Sequence, residues 1–395
     1  MQFRTDQKGS KELSALGFGC MRLPTAGGRI DVDAAEKLIV SAVQRGVNYL
    51  DTAYIYNGSE ATLGEIFARN PGLRDKVNVA TKLPISRCQA QEDFDKYLSR
   101  SLERLKADHV DYYLVHNVTS AGAWERLEEL GIEEWVSRQK EAGRIGQIGF
   151  SYHGPEADFP VLLDSYDWDF CQIQYNYLNE HYQAGTAGLE AAAKRGVPVV
   201  VMEPLLGGKL AGELPRAAKA VLERAGISAD PVRLALRWVW NHPEVTLVLS
   251  GMNTMEQLDQ NIETADGASP CSLAAEEVRA IEMARESIAK SYRVPCTGCG
   301  YCLPCPKGVN IPMCFAAYNA SFAHGWYQGM QQYITASGAM EGKARFAGDC
   351  VQCGACLQKC PQHIDIPQEL FRVKRRLQIP GLPAIVRMGT RVITR

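Results

Sequence analysis

Cysteine is the residue type whose distribution in this 395-residue chain predicts chemistry most directly. Nine of its 13 cysteines follow residue 290, and most of these lie in two runs with gaps of two or three residues. An odd number of closely spaced cysteines is a poor framework for disulfides. The N-terminal residues are polar, so no secretory signal is expected. The spacing therefore predicts metal or cluster ligands in a reducing compartment, the cytoplasm.

The second cysteine run has the spacing C-x2-C-x2-C-x3-C-P, which is typical of bacterial ferredoxins. Its members are Cys350, Cys353, Cys356 and Cys360. Gaps of two residues let one tight loop direct three thiolates towards one face of a [4Fe–4S] cubane. A zinc site with four cysteine ligands is the alternative, although zinc usually takes two cysteine pairs separated by a longer spacer.

The first run differs from this pattern by one residue in its last gap. It consists of Cys296, Cys299, Cys302 and Cys305. In two-cluster ferredoxins the fourth cysteine of a run ligates the other cluster. That rule places Cys360 with the first three cysteines of the first run, and Cys305 with those of the second. The segment resembles a two-cluster, mainly helical ferredoxin domain.

A second group of candidate residues follows consecutive predicted strands in the first 290 residues. In chain order they are Asp51, Tyr56, Lys82, His116, Ser151 and Gln172. A phenol has an ordinary pKa of about 10, and a nearby ammonium lowers it. Lys82 could supply that ammonium and Asp51 could hold it. Tyr56 could then protonate a carbonyl oxygen as hydride reaches the carbon, with His116 orienting the oxygen.

The elements that must position these residues alternate between short apolar runs and amphipathic segments. The predicted strands are 16–19, 47–51, 77–81, 110–116, 147–151, 170–175, 197–202 and 247–250. The predicted helices are 32–45, 60–69, 92–105, 123–142, 189–195, 231–241 and 272–290. Such alternation favours a parallel sheet with crossover helices. Eight strands in under 300 residues predict a (β/α)8 TIM barrel, and no G-x-G-x-x-G follows a strand as a Rossmann fold would require.

The composition changes after residue 290, where a weak internal repeat begins. Cys305-Pro-Lys-Gly-Val-Asn-Ile-Pro matches Cys360-Pro-Gln-His-Ile-Asp-Ile-Pro. We therefore predict a barrel over 1–290, a small mainly helical ferredoxin-like domain over 291–375 and a basic tail over 376–395. The tail is expected to be solvated, with docking of an acidic redox partner as the alternative.

Composition excludes several classes of protein. The chain has 46% hydrophobic and 22% charged residues, as in ordinary globular proteins. Its 43 basic and 45 acidic residues nearly balance, which argues against nucleic-acid binding. No apolar run reaches the length of about 18 residues that a membrane-spanning helix needs.

The first 290 residues resemble the aldo-keto reductase superfamily. The motifs are Asp51-Thr-Ala-Tyr-Ile-Tyr56, Ala80-Thr-Lys82, Tyr113-Leu-Val-His116, Ile148-Gly-Phe-Ser151 and Glu203-Pro-Leu-Leu-Gly207-Gly-Lys209. With the cysteine-rich extension, the chain is similar to the subgroup that has a C-terminal ferredoxin-like domain. The resemblance implies a TIM barrel, an NAD(P)H cofactor and a catalytic Asp51, Tyr56, Lys82 and His116.

The same resemblance implies the cofactor-binding residues. Ser151 and Gln172 would bind the nicotinamide carboxamide, and Met202 occupies the position of a tyrosine that stacks on the nicotinamide. The loop 205–209 and the segment 250–254 would hold the cofactor phosphates. The other cofactor-binding residues implied are Pro204, Leu205, Gly207, Lys209, Ser250, Gly251, Asn253, Gln257 and Asn261. The family usually has asparagine where this chain has Tyr152. The segment from Ser250 to Asn261 has no Lys or Arg for a 2′-phosphate, which favours NADH.

We therefore expect an NAD(P)-dependent oxidoreductase that interconverts a small carbonyl compound and an alcohol by hydride transfer. The two [4Fe–4S] clusters would be structural or would pass electrons to or from a redox partner protein. The alternative is a non-catalytic regulatory or electron-transfer protein built on the same barrel, since a fold does not guarantee turnover.

Overall fold

The computed structural model describes residues 1–395 except residues 10, 213, 228–229, 338–343, 385 and 387–395. Its backbone contacts divide the chain into two compact units. The first unit comprises Met1–Leu205 and Val232–Ala274, and the second comprises Leu206–Pro231 and Ala275–Arg395. Half of the predicted basic tail, residues 385 and 387–395, lies outside the described residues.

Eight parallel strands of the first unit close into a barrel, which confirms the predicted (β/α)8 fold. The described strands are β1 (Phe3–Asp6), β2 (Lys11–Ser14), β3 (Leu16–Gly19), β4 (Thr25–Ala26), β5 (Arg29–Ile30), β6 (Tyr49–Asp51), β7 (Asn78–Leu83), β8 (Val110–Val118), β9 (Ile145–Tyr152), β10 (Phe170–Gln174), β11 (Val199–Met202) and β12 (Val245–Ser250). The order around the barrel is β10-β11-β12-β3-β6-β7-β8-β9.

Each predicted helical segment overlaps an observed helix, but six of the fourteen described helices lie outside the predicted segments. They are α1 (Val32–Gln44), α2 (Ser59–Arg69), α3 (Glu92–Leu105), α4 (Ala121–Glu129), α5 (Ile132–Glu141), α6 (Phe159–Asp164), α7 (Gly185–Lys194), α8 (Arg216–Arg224), α9 (Pro231–Trp240), α10 (Met255–Ala265), α11 (Ala275–Ser291), α12 (Ile311–Ala323), α13 (Trp326–Ala336) and α14 (Ile366–Leu377). The predicted helix 123–142 is two helices, because Gly131 has a φ of 78° and interrupts it.

A hairpin that sequence reasoning missed contributes to the barrel core. Strands β1 and β2 pair antiparallel, and Leu13 of β2 joins the buried cluster inside the barrel. Asp6 of β1 accepts a hydrogen bond from the Tyr112 hydroxyl at 2.8 Å. The hairpin therefore packs against the barrel interior around Tyr112.

In the second unit α12, α13 and α14 pack around an apolar cluster, and α11 packs on α8 and α12. The cluster includes Phe315 of α12, Tyr333 of α13 and Leu370 of α14, and several cysteines of both runs pack against it. No described helix is both long and apolar enough to cross a bilayer.

The two copies of the internal repeat lead into helices that begin with the same N-terminal capping pattern. Asn310 and Asp365 cap α12 and α14, each accepting a hydrogen bond from a backbone N–H three residues later. Three residues after each preceding cysteine, Gly308 and His363 have positive φ values of 72° and 48°. Each Cys-Pro sequence is therefore followed by the same turn into a helix.

Candidate functional site

Alternation along the strands places the predicted catalytic residues on the interior face of the barrel. Tyr49, Ala80 and Leu114 belong to one buried cluster inside it. Successive side chains of a strand point to opposite faces, so residues two positions further on face the same interior. Those residues are Asp51, Lys82 and His116, and all three are buried.

Lys82 is held by two oxygen atoms. Its Nζ donates to Asp51 Oδ1 at 2.5 Å and to the carbonyl oxygen of Thr52 at 2.7 Å. Gln172 Nε2 donates to the other carboxylate oxygen of Asp51 at 3.4 Å. The ammonium therefore has a defined position, with two of its three protons directed at acceptors.

Tyr56 lies in the turn after β6, next to this ammonium. Lys82 Nζ is 5.1 Å from the centre of the Tyr56 ring. The His116 ring meets the Tyr56 ring edge-on, with 5.9 Å between centroids and 84° between planes. The structure thus brings the four predicted catalytic side chains together, a phenol with an ammonium and an imidazole beside it.

Burial is the main cause of the pKa shifts in this group. It raises the pKa of Asp51 and lowers that of Lys82, and the attraction between the two residues offsets these shifts only in part. Burial, Lys82 and His153 lower the pKa of His116 well below its ordinary 6.5. His116 is therefore neutral at neutral pH and can donate a hydrogen bond without carrying a charge.

Buried amide and imidazole atoms at this end of the barrel suit a polar planar ligand group. Gln172 Oε1 and His116 Nδ1 are buried and have no hydrogen-bond partner among the described residues. Ser151 Oγ accepts from the Asn117 N–H at 2.8 Å. A carboxamide with donors and an acceptor could satisfy such atoms, so the residues present fit a nicotinamide.

Two further polar residues at this end of the barrel were missed from the sequence. Gln174 is completely buried, and neither of its amide atoms has a partner in the described part of the chain. Asn117 has a positive φ of 62° and a buried Oδ1 without a described partner. Gln172 and Gln174 are two positions apart on one strand, a spacing that could have identified the second glutamine.

The two departures from the family pattern have different surroundings. Tyr152 is buried, its hydroxyl donates to the carbonyl oxygen of Pro155, and its ring lies 4.9 Å from that of Phe159. It is therefore part of the packing beside α6. Met202 ends β11 in register with Gln174 and packs against the barrel core.

The segment after β12 is ordered by its own side chains. Asn261 Nδ2 donates to Ser250 Oγ at 2.7 Å, and Gln257 Oε1 accepts from the Asn253 N–H at 2.9 Å. The predicted Gly251 lies beside Arg22, whose Cβ is 3.8 Å from the position that a Cβ on Gly251 would take. Sequence reasoning missed this basic side chain because Arg22 is more than 200 residues away in the chain.

The remaining residues predicted to bind the cofactor follow β11. Pro204 and Leu205 end the first segment of the first unit, and Gly207 and Lys209 lie in the short turn Leu206–Ala211 of the second unit. Gly207 has a φ of 67°, which favours glycine.

The second unit places cysteines of the two runs beside each other. Burial and the neighbouring thiols of Cys296, Cys299 and Cys360 raise the pKa of Cys302 to about 12. Cys360 is the fourth cysteine of the second run, and it was predicted to join the first three cysteines of the first run.

A cavity of about 530 Å³, part of it open to solvent, marks the other set of cysteines. Its lining includes all four cysteines of this set, Cys305, Cys350, Cys353 and Cys356, together with Cys302 of the first set. No three His, Cys, Asp or Glu side chains in the described ranges are placed to hold one metal ion. The cysteines surround a larger space, and four thiolates around such a space fit an iron–sulfur cluster.

The two cysteine loops follow the same backbone path despite the irregular spacing of the first run. Gly298 and Gln352, each two residues after the first cysteine, have φ values of 72° and 55°. Gly300 and Gly354, each directly after the second cysteine, have φ values of 79° and 74°. The one-residue difference therefore leaves the first three cysteines of each run in equivalent positions.

Two protein-family models match the chain. Residues 15–286 match the aldo/keto reductase family, and residues 295–364 match the 4Fe-4S dicluster domain. The second match favours iron–sulfur clusters over the zinc alternative.

Known proteins similar to the chain include aldo-keto reductases and oxidoreductases of sugars. L-galactose dehydrogenase of Arabidopsis thaliana is 26% identical over 70% of this chain and 92% of its own. The 6-dehydroglucose reductase of Novosphingobium aromaticivorans is 26% identical over 64% of this chain and 86% of its own. The holo structure of aldo-keto reductase AKR11C1 from Bacillus halodurans is 26% identical, covers 72% of this chain and 96% of that one, and has a TM-score of 0.58. The chain is therefore an oxidoreductase of the aldo/keto reductase family with a C-terminal 4Fe-4S domain.

Proposed function

We propose that the chain is a cytoplasmic NAD(P)H-dependent reductase of small carbonyl compounds, reversible towards the alcohol. The observation that supports this most is the buried Lys82 ammonium, held by Asp51 and Thr52, 5.1 Å from the centre of the Tyr56 ring. An ammonium in that position favours the phenolate and makes Tyr56 a better proton donor and acceptor near neutral pH.

Each residue of the group has a role in this mechanism. When bound, the reduced nicotinamide supplies a hydride to the carbonyl carbon. Tyr56 gives its proton to the carbonyl oxygen, and neutral His116 hydrogen-bonds the same oxygen and orients it. Asp51 keeps Lys82 charged and in place. Ser151 and Gln172 would hold the carboxamide, which fits the free acceptor at Gln172 Oε1.

The proposal extends to the second unit. Two [4Fe–4S] clusters would be bound, one by Cys296, Cys299, Cys302 and Cys360 and the other by Cys305, Cys350, Cys353 and Cys356. The predicted domains 1–290 and 291–375 and the tail 376–395 are part of the same proposal. Hydride transfer moves two electrons in one step, so the clusters would be structural or would serve a redox partner protein.

Tyr56→Phe tests the mechanism because it keeps the ring and removes the transferable proton. We expect kcat for carbonyl reduction to fall by about 10²–10⁴-fold while the Kd of NAD(P)H changes little. Tyr54→Phe is the matched control, since Tyr54 lies two residues earlier and packs on Tyr97, with 4.9 Å between ring centroids. Unchanged kcat in Tyr56→Phe would contradict the mechanism.

The alternative, a regulatory or electron-transfer protein, is favoured by one observation: the segment from Ser250 to Asn261 contains no basic residue. Titration of the anaerobically purified chain with NADH and NADPH distinguishes the two proposals. Failure to bind either nucleotide at millimolar concentration would favour the alternative.

A further inference from the structure

The turn Leu206–Ala211, proposed to contact the cofactor phosphates, packs within the second unit against the start of the first cysteine run. A Cβ on Gly207 would lie 1.9 Å from the carbonyl oxygen of Thr297 and 2.7 Å from its carbonyl carbon. Thr297 is buried and lies between Cys296 and Cys299. Gly207 is therefore required by close approach as well as by its positive φ.

Lys209 is attached to the same segment. The Tyr292 hydroxyl donates to the carbonyl oxygen of Lys209 at 2.9 Å. Lys209 Nζ donates to the carbonyl oxygen of Val294 at 3.4 Å and lies 5.7 Å from the centre of the Tyr292 ring. Residues 207–209 thus contact residues 292–297 through backbone packing, hydrogen bonds and a cation–π interaction.

One end of the segment 292–297 is held by the protein itself. Asn319 of α12 accepts from the Val294 N–H at 3.0 Å and donates to the Val294 carbonyl oxygen at 2.8 Å. Val294 and Asn319 are buried. Helix α11, which leads into Tyr292, packs on α8, which follows the turn Leu206–Ala211.

The other end of the segment runs directly into the cysteine loop. Gly298 and Gly300 have positive φ values, and glycines have many alternative conformations. Cluster ligation by Cys296 and Cys299 would fix the chain on both sides of Thr297, because metal binding provides the free energy that orders such loops. The Thr297 carbonyl group, against which Gly207 packs, would then be held in place because the cysteines on both sides of it bind the cluster.

We propose that the cluster bound by Cys296, Cys299, Cys302 and Cys360 positions the turn Leu206–Ala211, so that nucleotide affinity depends on this cluster and not on the second one. The inference rests on the proposed role of this turn in nucleotide binding. Coupling between two binding events is reciprocal, so bound nucleotide protects the first cluster from loss by the same factor.

Gly207→Ala and Gly208→Ala form a matched pair that tests this coupling. Both glycines have positive φ, 67° and 91°, but among the described residues no atom beyond the two chain neighbours lies within 4 Å of a Cβ placed on Gly208. Gly207→Ala therefore disturbs the cysteine segment, whereas Gly208→Ala adds only local backbone strain. We expect Gly207→Ala alone to lose iron and sulfide from the first cluster, measured by chemical analysis and EPR. Its Kd for NAD(P)H, from fluorescence titration, should be at least about five-fold higher than that of Gly208→Ala.

Cys299→Ser and Cys353→Ser test the coupling from the side of the clusters. The Kd of NAD(P)H should rise at least about five-fold in Cys299→Ser and stay near wild type in Cys353→Ser. Tyr292→Phe removes only the hydrogen bond from the Tyr292 hydroxyl to the Lys209 carbonyl oxygen. This variant replaces Gly207→Ala if the latter does not fold, and it should show a smaller loss of iron and a smaller rise in the Kd of NAD(P)H.

Equal iron content and equal Kd in the two glycine variants would overturn the inference, as would equal Kd values in the two cysteine variants. A wild-type chain that binds neither nucleotide would instead contradict the proposed function. In that case the iron content of the glycine variants would still decide whether turn and cluster are coupled.

Discussion

Lys82→Met would leave Asp51 buried without its cation. The wild-type carboxylate has Lys82 at 2.5 Å and Gln172 at 3.4 Å, and only the glutamine would remain. Burial already raises the pKa of Asp51, and the loss of Lys82 raises it further. The folded variant would relieve the unpaired charge by taking up a proton.

The free energy needed to keep Asp51 protonated in the folded variant determines how much stability Lys82→Met loses. An unfolded aspartate has a pKa of about 3.9, and each pH unit corresponds to about 1.36 kcal/mol. Holding the carboxyl neutral therefore costs about 4 kcal/mol at pH 7 and about 1.5 kcal/mol at pH 5. The sign follows from linkage: the folded pKa is raised, so stability is lost as pH rises above the unfolded pKa.

Thermal unfolding followed by circular dichroism measures this effect. With about 2–4 °C per kcal/mol for a domain of this size, Lys82→Met should lower Tm by about 8–16 °C at pH 7 and about 3–6 °C at pH 5. Adding Asp51→Asn removes the unpaired charge and should recover most of the loss. Arg138→Met is the control, because Arg138 and Glu134 form an exposed ion pair whose loss costs less than about 1 kcal/mol. Equal losses at both pH values, or no recovery in the double variant, would refute the reasoning.

Three further outcomes are expected. The anaerobic chain should contain about eight iron and eight sulfide, and Cys305→Ser should lower both towards about four. Cys314→Ser should leave them unchanged, because Cys314 is buried but is not a predicted ligand. The free energy of unfolding of the wild type should fall as pH drops below about 6.5, because His116 is protonated in the unfolded chain and neutral in the folded one. In His116→Asn the decrease of this free energy with pH, measured by urea titration, should be smaller by up to about 1.4 kcal/mol per pH unit. Arg22→Ala should raise the Kd of NADPH more than that of NADH, and equal changes would remove Arg22 from the recognition of a 2′-phosphate.

The barrel could be predicted because its strands are short apolar runs at regular intervals. Each of the eight was placed to within a few residues of its observed position. The hairpins β1–β2 and β4–β5 were missed because their strands are mostly polar and give no apolar run in the sequence. The break at Gly131 was missed because an isolated glycine within an amphipathic pattern is compatible with a continuous helix.

The candidate site could be predicted where an ionisable residue stands at the end of a predicted strand, as Asp51 and Lys82 do. Gln174 was missed although it shares a face with Gln172. The carbonyl oxygen of Thr52 carries no sequence signal, since every residue has one. Contacts between distant segments, such as Gly207 with Thr297, depend on packing that no local pattern encodes.

The two cysteine sets differ in the exposure of one member each, since the other three cysteines of both sets are half-buried. Cys296 of the first set is 9% exposed, whereas Cys353 of the second set is exposed and lines an open cavity. On the proposed cluster assignment, dissolved oxygen and chelators would reach the second cluster first, at Cys353. If nucleotide affinity depends on the first cluster as proposed, brief exposure to air would leave a form of the chain that has lost the second cluster and still binds nucleotide.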